Sequence, residues 1–304
     1  MLELGAGADI LRALGWLYLG LMALLIAAAL WFPERWWQKV IGALVVLMVF
    51  TGPAYLRSRE RAQLVDEHKV RYEKARAVFD ERCKTAGEKI YKTVDGVDGV
   101  LLLNVRPSAS DGDRHDRNWL EAGLPGEFGA EGYIANFLTW EHPYKVLILH
   151  GEHKGETVED KRNPRGYLSK TPSDLPGYRY VDAKDKDGVL RRYAFKKPGE
   201  KAPLFLAQDE LRTSPARYAV SYTNVGQPSD REHWVAGTTV TVTDTQTSEI
   251  LAQGTWYSFV PSLGTMGRQS TPWAFSVSCP DLKGMDNAPT RFFVDHVLKP
   301  KKGD

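Results

Sequence analysis

The sequence predicts an α+β protein: an N-terminal two-helix transmembrane hairpin, then a long helix and a mainly antiparallel β domain. Three observations carry this. Two uncharged apolar runs, Ala13 to Phe32 and Val40 to Leu56, are separated only by the short polar segment 33–39. Residues Leu64, Val65, His68, Tyr72, Ala75, Val78 and Phe79 then recur at three- and four-residue steps, the spacing of one helical face. Beyond residue 90, short segments rich in Val, Thr, Tyr, Trp and Phe alternate with Gly-, Pro- and Asp-rich turns, the pattern of strands in a half-buried sheet.

The apolar runs come first because length decides their reading. A helix needs roughly 20 apolar residues to cross a bilayer of about 30 Å. The first run reaches that length, and the second does so with Trp36 and Trp37 at the interface and Lys39 extended toward water. A cleaved signal peptide fits poorly. The leading segment carries Glu3, Asp9 and a single Arg12 instead of a basic stretch, and Pro33-Glu34-Arg35-Trp36-Trp37 lacks a small-residue cleavage site. Neither run holds a central acid, base or amide, the usual mark of a transport pathway, so an anchor is expected.

Three segments follow: residues 1–56 as the hairpin, 57–90 as an amphipathic stalk or covering helix, and 91–304 as an α+β soluble domain. Arg57, Arg59, Arg61, Lys69, Arg71, Lys74 and Arg76 follow the second span, against Arg35 and Lys39 in the connecting loop. Because Lys and Arg near span ends are retained in the cytoplasm, the count places the domain there, with the periplasm as the alternative. Cys83 and Cys279 are the only cysteines. Two readings stay open for them: a reduced pair, or one disulfide closing a long loop in an oxidising compartment.

In the polar part, Ile90–Val94 and Val100–Val105 read as strands flanking the turn-like Val94–Gly99. Arg106 to Ala130 reads as a long loop, Tyr133–Trp140 as one or two helical turns, and Tyr144–His150 as a strand. Hairpins are expected at Tyr178–Asp182 with Val189–Phe195, and at Thr238–Thr243 with Glu249–Val260. Ala216–Thr223 is a further strand, and a short helix is expected over Thr290–Leu298.

Composition excludes some functions. A net charge of +2 in 304 residues leaves no basic footprint for nucleic acid. The chain holds no nucleophile elbow, phosphate-binding loop or dinucleotide turn, so no catalytic residue and no cofactor is assigned. His150, Glu152 and His153, with His142 nearby, form the densest set of metal-ligating residues, although Gly151 and the i, i+3 spacing depart from a zinc helix. Asp182–Gly188 resembles the acidic head of a calcium loop but lacks its first Asp and its closing Glu, so a hairpin turn is the simpler reading. Asp111–Arg117 is a charge-dense loop. Asp230, Arg231, His233 and Trp234 lead into a strand and are candidates for interaction.

Glu81–Tyr91 followed by Gly99–Pro107, and later Asp230–Trp234 with its two following strands, resemble a group of uncharacterised proteobacterial membrane-anchored proteins. The resemblance covers about a quarter of the chain. It implies a bacterial source and, by context, an immunity or accessory role beside a toxin system. The leading expectation is a membrane-tethered, non-enzymatic binding protein whose partners are the lipid bilayer and another protein, with recognition in the loops Arg106–Ala130 and Gly151–Gly177. A metal-dependent hydrolase using the His150/His153 cluster and a subunit of a larger inner-membrane assembly are the alternatives.

Overall fold

The computed structural model describes residues 5–138, 145–147, 157–159, 177–185, 187–196, 205–265, 271–282 and 288–301. The chain divides into two compact units, Met1–Val70 and Arg71–Asp304. In the first unit, helix α1 (Gly5–Trp31) is followed by the opening half of α2 (Trp36–Cys83). Their antiparallel contact is made of small and aromatic residues. Tyr18 Oη donates to Phe50 O at 2.5 Å with the two rings 5.0 Å apart, and a Cβ added at Gly42 would stand 3.2 Å from Ala29 Cβ. Both helices are long and apolar enough to cross a membrane. Arg12–Trp31 has a mean hydropathy of 2.2, an 18-residue window of α2 reaches 1.8, and none of either window is buried.

α2 does not stop after its apolar part but runs unbroken to Cys83. The amphipathic segment expected as a separate stalk is therefore the second half of the same helix. It ends seven residues before the expected Ile90, because Gly87 adopts φ +119° and opens strand β1 (Gly87–Ile90). Only the later part of the predicted stripe is covered. Ala75 and Phe79 are buried, whereas Leu64 and Val65 are exposed.

The second unit is built on a nine-stranded mixed sheet. After β1 come β2 (Val94–Val97), β3 (Gly99–Leu102), the short helix α3 (Asp111–His115), a 3₁₀ turn at Leu120–Gly123 and helix α4 (Glu131–Leu138). β4 (Lys145–Leu147) and β5 (Thr157–Glu159) pair as a separate hairpin. β6 (Tyr180–Lys184), β7 (Leu190–Lys196), β8 (Phe205–Glu210) and β9 (Tyr218–Val225) lead to α5 (Pro228–Glu232), then β10 (Val235–Asp244) and β11 (Glu249–Phe259). β12 (Val277–Cys279), α6 (Pro289–Val297) and β13 (Leu298–Pro300) complete it. The strand order is β1-β11-β10-β9-β3-β6-β7-β8, with β12 pairing β11 beyond the end of β1.

Most pairings are antiparallel, as the alternation predicts. The exceptions are β3, which runs parallel to both β6 and β9, and β13, which runs parallel to β2. The segment read as a tandem turn between two strands is itself strand β2.

Sheet parity assigns the core. Val240, Val242 and Trp256 meet Tyr133, Phe137, Phe293 and Val297 of α4 and α6 in one cluster. On another part of the unit, Val235, Tyr257 and Phe259 receive the end of α2, with Phe79 and Tyr72 placed 5.5 and 5.9 Å from the Phe259 ring. Cys83, the last residue of α2, is joined by a disulfide to Cys279 of β12, with Cα atoms 5.7 Å apart.

The loop 125–129 lies tightly against residues 107–108. Ala130 N donates to Arg106 O at 2.6 Å, and a Cβ added at Gly129 would fall 2.2 Å from Pro107 O. The Gly129→Ala variant is therefore expected to lose roughly 1–3 kcal/mol through forced backbone displacement. Urea unfolding followed by tryptophan fluorescence measures this as a lower midpoint.

Candidate functional site

A cleft of about 920 Å³ opens beside strand β12. Its walls come from α3, the loop 125–129, the 3₁₀ turn at Pro272–Phe275, and residues 276–282. Each wall has a local cause. Ser110 caps α3 in a reciprocal box with Asp113, which fixes the short helix and places Arg114 on the cleft. Trp273 is buried and donates its indole N–H to Asp116 O at 2.8 Å, so it forms the floor. Ser278 shares a 2.8 Å hydrogen bond with Ser258, whose hydroxyl donates to Gly123 O at 3.0 Å. That chain ties β12, β11 and the Leu120–Gly123 turn together behind the cleft.

Glu127 is the chemically distinctive residue. Thr290 donates to its Oε2 through both the main-chain N–H at 3.0 Å and the hydroxyl at 2.6 Å, while Oε1 is shielded from solvent and has no hydrogen-bond partner. Burial pushes the carboxyl up to about 7, against the opposing pull of the Arg106 charge and the two Thr290 hydrogen bonds. Arg106 is itself buried. Its guanidinium donates to Glu121 O, Leu124 O and Thr238 Oγ1 and lies 4.8 Å from the Tyr222 ring centroid. Burial, with the Glu127 charge second, also raises the Tyr133 hydroxyl well above its ordinary value.

Arg114 lines the same cleft, and its Nε is shielded without a hydrogen-bond partner. Arg106 is the cation that opposes burial at Glu127. A second cleft of about 780 Å³ lies nearby, between residues 103–108, Ile134 and the β6–β7 turn.

The residues singled out from sequence fall in different places. His142, His150, Glu152 and His153 lie outside the described residues. Among the described residues, no group of three His, Cys, Asp or Glu side chains has metal-binding geometry. In the segment resembling a calcium loop, Asp182 is buried, paired with Arg192 at 2.8 Å and bonded to Ala216 N. Asp185 accepts from Asp187 N and Val189 N, which makes the segment a hairpin turn.

In the 230–234 segment, Asp230 is buried. It accepts two hydrogen bonds from Arg82 at 3.0 Å and one from Gln227 N at 2.8 Å. Arg231 donates to Leu120 O at 3.2 Å and sits 5.8 Å from the Trp273 ring, and burial lowers its guanidinium below the ordinary value. Trp234, at φ +56°, packs 5.6 Å from Trp273. His233 ends α5. Asp230, Arg231 and Trp234 thus brace the end of α2 and the cleft floor.

Glu127 and Arg106 were not singled out by sequence, whereas Arg114 falls in the charge-dense segment Asp111–Arg117, which forms α3 at the cleft. The one local sign was a lone Glu inside Pro125-Gly126-Glu127-Phe128-Gly129, a segment too constrained in composition for a plain hydrated loop. Searched against protein-family profiles, curated proteins and solved structures, the chain matches none.

Two outcomes are expected. Asp230→Ala removes the partner of a half-buried Arg82 and the cap of α5, and destabilises by roughly 2–3 kcal/mol in urea unfolding. For Glu127, the folded carboxyl holds its proton more tightly than the unfolded one, whose ordinary value is 4.5. Its stabilising contribution is complete below that value and is lost as pH rises through about 7. Glu127→Gln has no such proton to lose. Its melting temperature should gain about a few degrees relative to the wild type between roughly pH 5 and pH 8, as scanning calorimetry measures.

Proposed function

We propose that the chain is a membrane-tethered, non-enzymatic binding protein of a bacterial inner membrane, with an immunity or accessory role. The observation that carries the tether is the first unit's surface. Two long apolar helices have no buried residue in their most hydropathic windows, whereas every buried cluster belongs to residues beyond 70. Apolar surface of that extent is favourable only against lipid or a partner chain.

Recognition resides in the second unit. Most of the cleft wall is supplied by residues 108–129, inside the loop region expected to choose the partner. The floor and back wall are rigid strand and turn, which suits a preformed binding surface.

The compartment follows from redox chemistry more than from charge counting. The basic residues after the second apolar run belong to α2, a continuous helix, and helical faces are commonly basic for reasons of solvation. The Cys83–Cys279 bond persists only where thiols are oxidised, so we place the folded domain on the periplasmic side.

Fractionation tests the tether and thiol labelling tests the side. The full chain should stay with membranes through a carbonate wash and be released by detergent. Maleimide–polyethylene glycol added to denatured extracts from acid-quenched cells should shift its mobility only after reduction. A chain in the wash supernatant overturns the tether, and a shift without reductant overturns the compartment.

A further inference from the structure

Arginines gather at one level of the hairpin. The contact between Tyr18 and Phe50 fixes how α1 and α2 lie against each other. Arg12 stands six residues before Tyr18, and Arg57 stands seven after Phe50. Because the helices run antiparallel, both lie about 9–11 Å beyond that contact in the same direction. Arg59 and Arg61 follow within about one further turn. From Arg12 to Trp31 the apolar segment is 20 residues long, about 30 Å of helix, which equals the hydrocarbon thickness of a bilayer. The arginines therefore mark one membrane boundary. Exposed Trp31, Phe32, Trp36 and Trp37 mark the other.

Arg57, Arg59 and Arg61 are all exposed. Glu60 is the only acid among them, and the first described ion pair along α2 is Arg76–Asp80. Arg59 lies over the Tyr55 ring, 5.9 Å from its centroid. At about 100° per residue, Arg59 sits about 200° around the helix from Arg57, and Arg61 about 40°. The charges thus encircle α2 at one depth instead of forming one face. A protein partner docks on one side of a helix, whereas lipid headgroups surround it. Guanidinium groups meet phosphate with two parallel hydrogen bonds, a geometry that lysine lacks. A zwitterionic headgroup offers a phosphate already neutralised by its own ammonium, so an anionic headgroup gains more from the same arginines.

We propose that Arg57, Arg59 and Arg61 form a collar that binds the phosphates of anionic phospholipids where α2 leaves the bilayer. This rests on the reading of the first unit as a membrane hairpin and names the lipid class it selects. Such contacts can be made on either face of the membrane, so they are compatible with a periplasmic domain.

Electron paramagnetic resonance on the full chain in phosphatidylcholine vesicles tests it, with trace spin-labelled phosphatidylglycerol or spin-labelled phosphatidylcholine as the probe. The fraction of label immobilised at the protein gives the relative affinity. Phosphatidylglycerol should be preferred by about threefold or more. Replacing all three arginines (R57Q, R59Q, R61Q) should bring the two lipids to within about 1.5-fold of each other. Replacing the basic residues of the opposite boundary (R35Q, K39Q) should leave the preference of the wild type intact.

Equal immobilisation of the two lipids by the wild type overturns the proposal while leaving the tether standing. A preference that survives the triple substitution, or one that disappears with R35Q and K39Q, also overturns it. A chain that does not float with the vesicles at all overturns the hairpin reading, and the proposal with it. The comparison of lipids on the wild type needs no substitution, so the test stands even if the triple variant fails to fold.

Discussion

The second unit depends on the long antiparallel ladder between Val235–Asp244 and Glu249–Phe259. It is the only place in the described residues where one hairpin contributes to three hydrophobic clusters at once. Val240, Val242 and Trp256 support α4 and α6, while Val235, Tyr257 and Phe259 receive the end of α2. Ala236 and Val260 back the buried Trp273. Because side chains alternate across a strand, a one-residue slip would exchange these sets and expose them to the wrong partners. The register is held at the turn. Buried Asp244 accepts from Arg217 and from Gln246 N, and a bulge between Val242 and Thr243 absorbs the extra residue.

Much of this was readable in advance because it is local. The hairpins at 178–195 and 238–260 follow from β-branched alternation around polar turns, and the apolar helices follow from length and the absence of charge. What could not be read is non-local. β3 lies parallel between β6 and β9, and these strands are separated in sequence by dozens of residues, so no local pattern names them as partners. The helix end was misplaced because helical periodicity continues weakly past Cys83. What stops the helix is the left-handed Gly87 and the pairing of β1 with β11, a partner more than 160 residues away.

The cleft was legible only in part, for the same reason. Its loop, 106–130, stood out by composition. Its chemistry did not, since an isolated Glu127 looks like any surface carboxyl until Thr290 and Arg106 are placed around it. Burial and an adjacent buried guanidinium act in opposite senses on that carboxyl, and burial prevails. Asp230 teaches the converse. Its place before a strand marked it as a candidate for interaction, and its carboxylate turns inward to Arg82 on α2.

One covalent link has a mechanical meaning. α2 begins with apolar turns and ends at Cys83, which is bonded to Cys279 across 196 residues of sequence. The closed loop takes in every strand from β1 to β11, so the end of α2 and strand β12 stay joined even when the pairing of β1 with β11 opens.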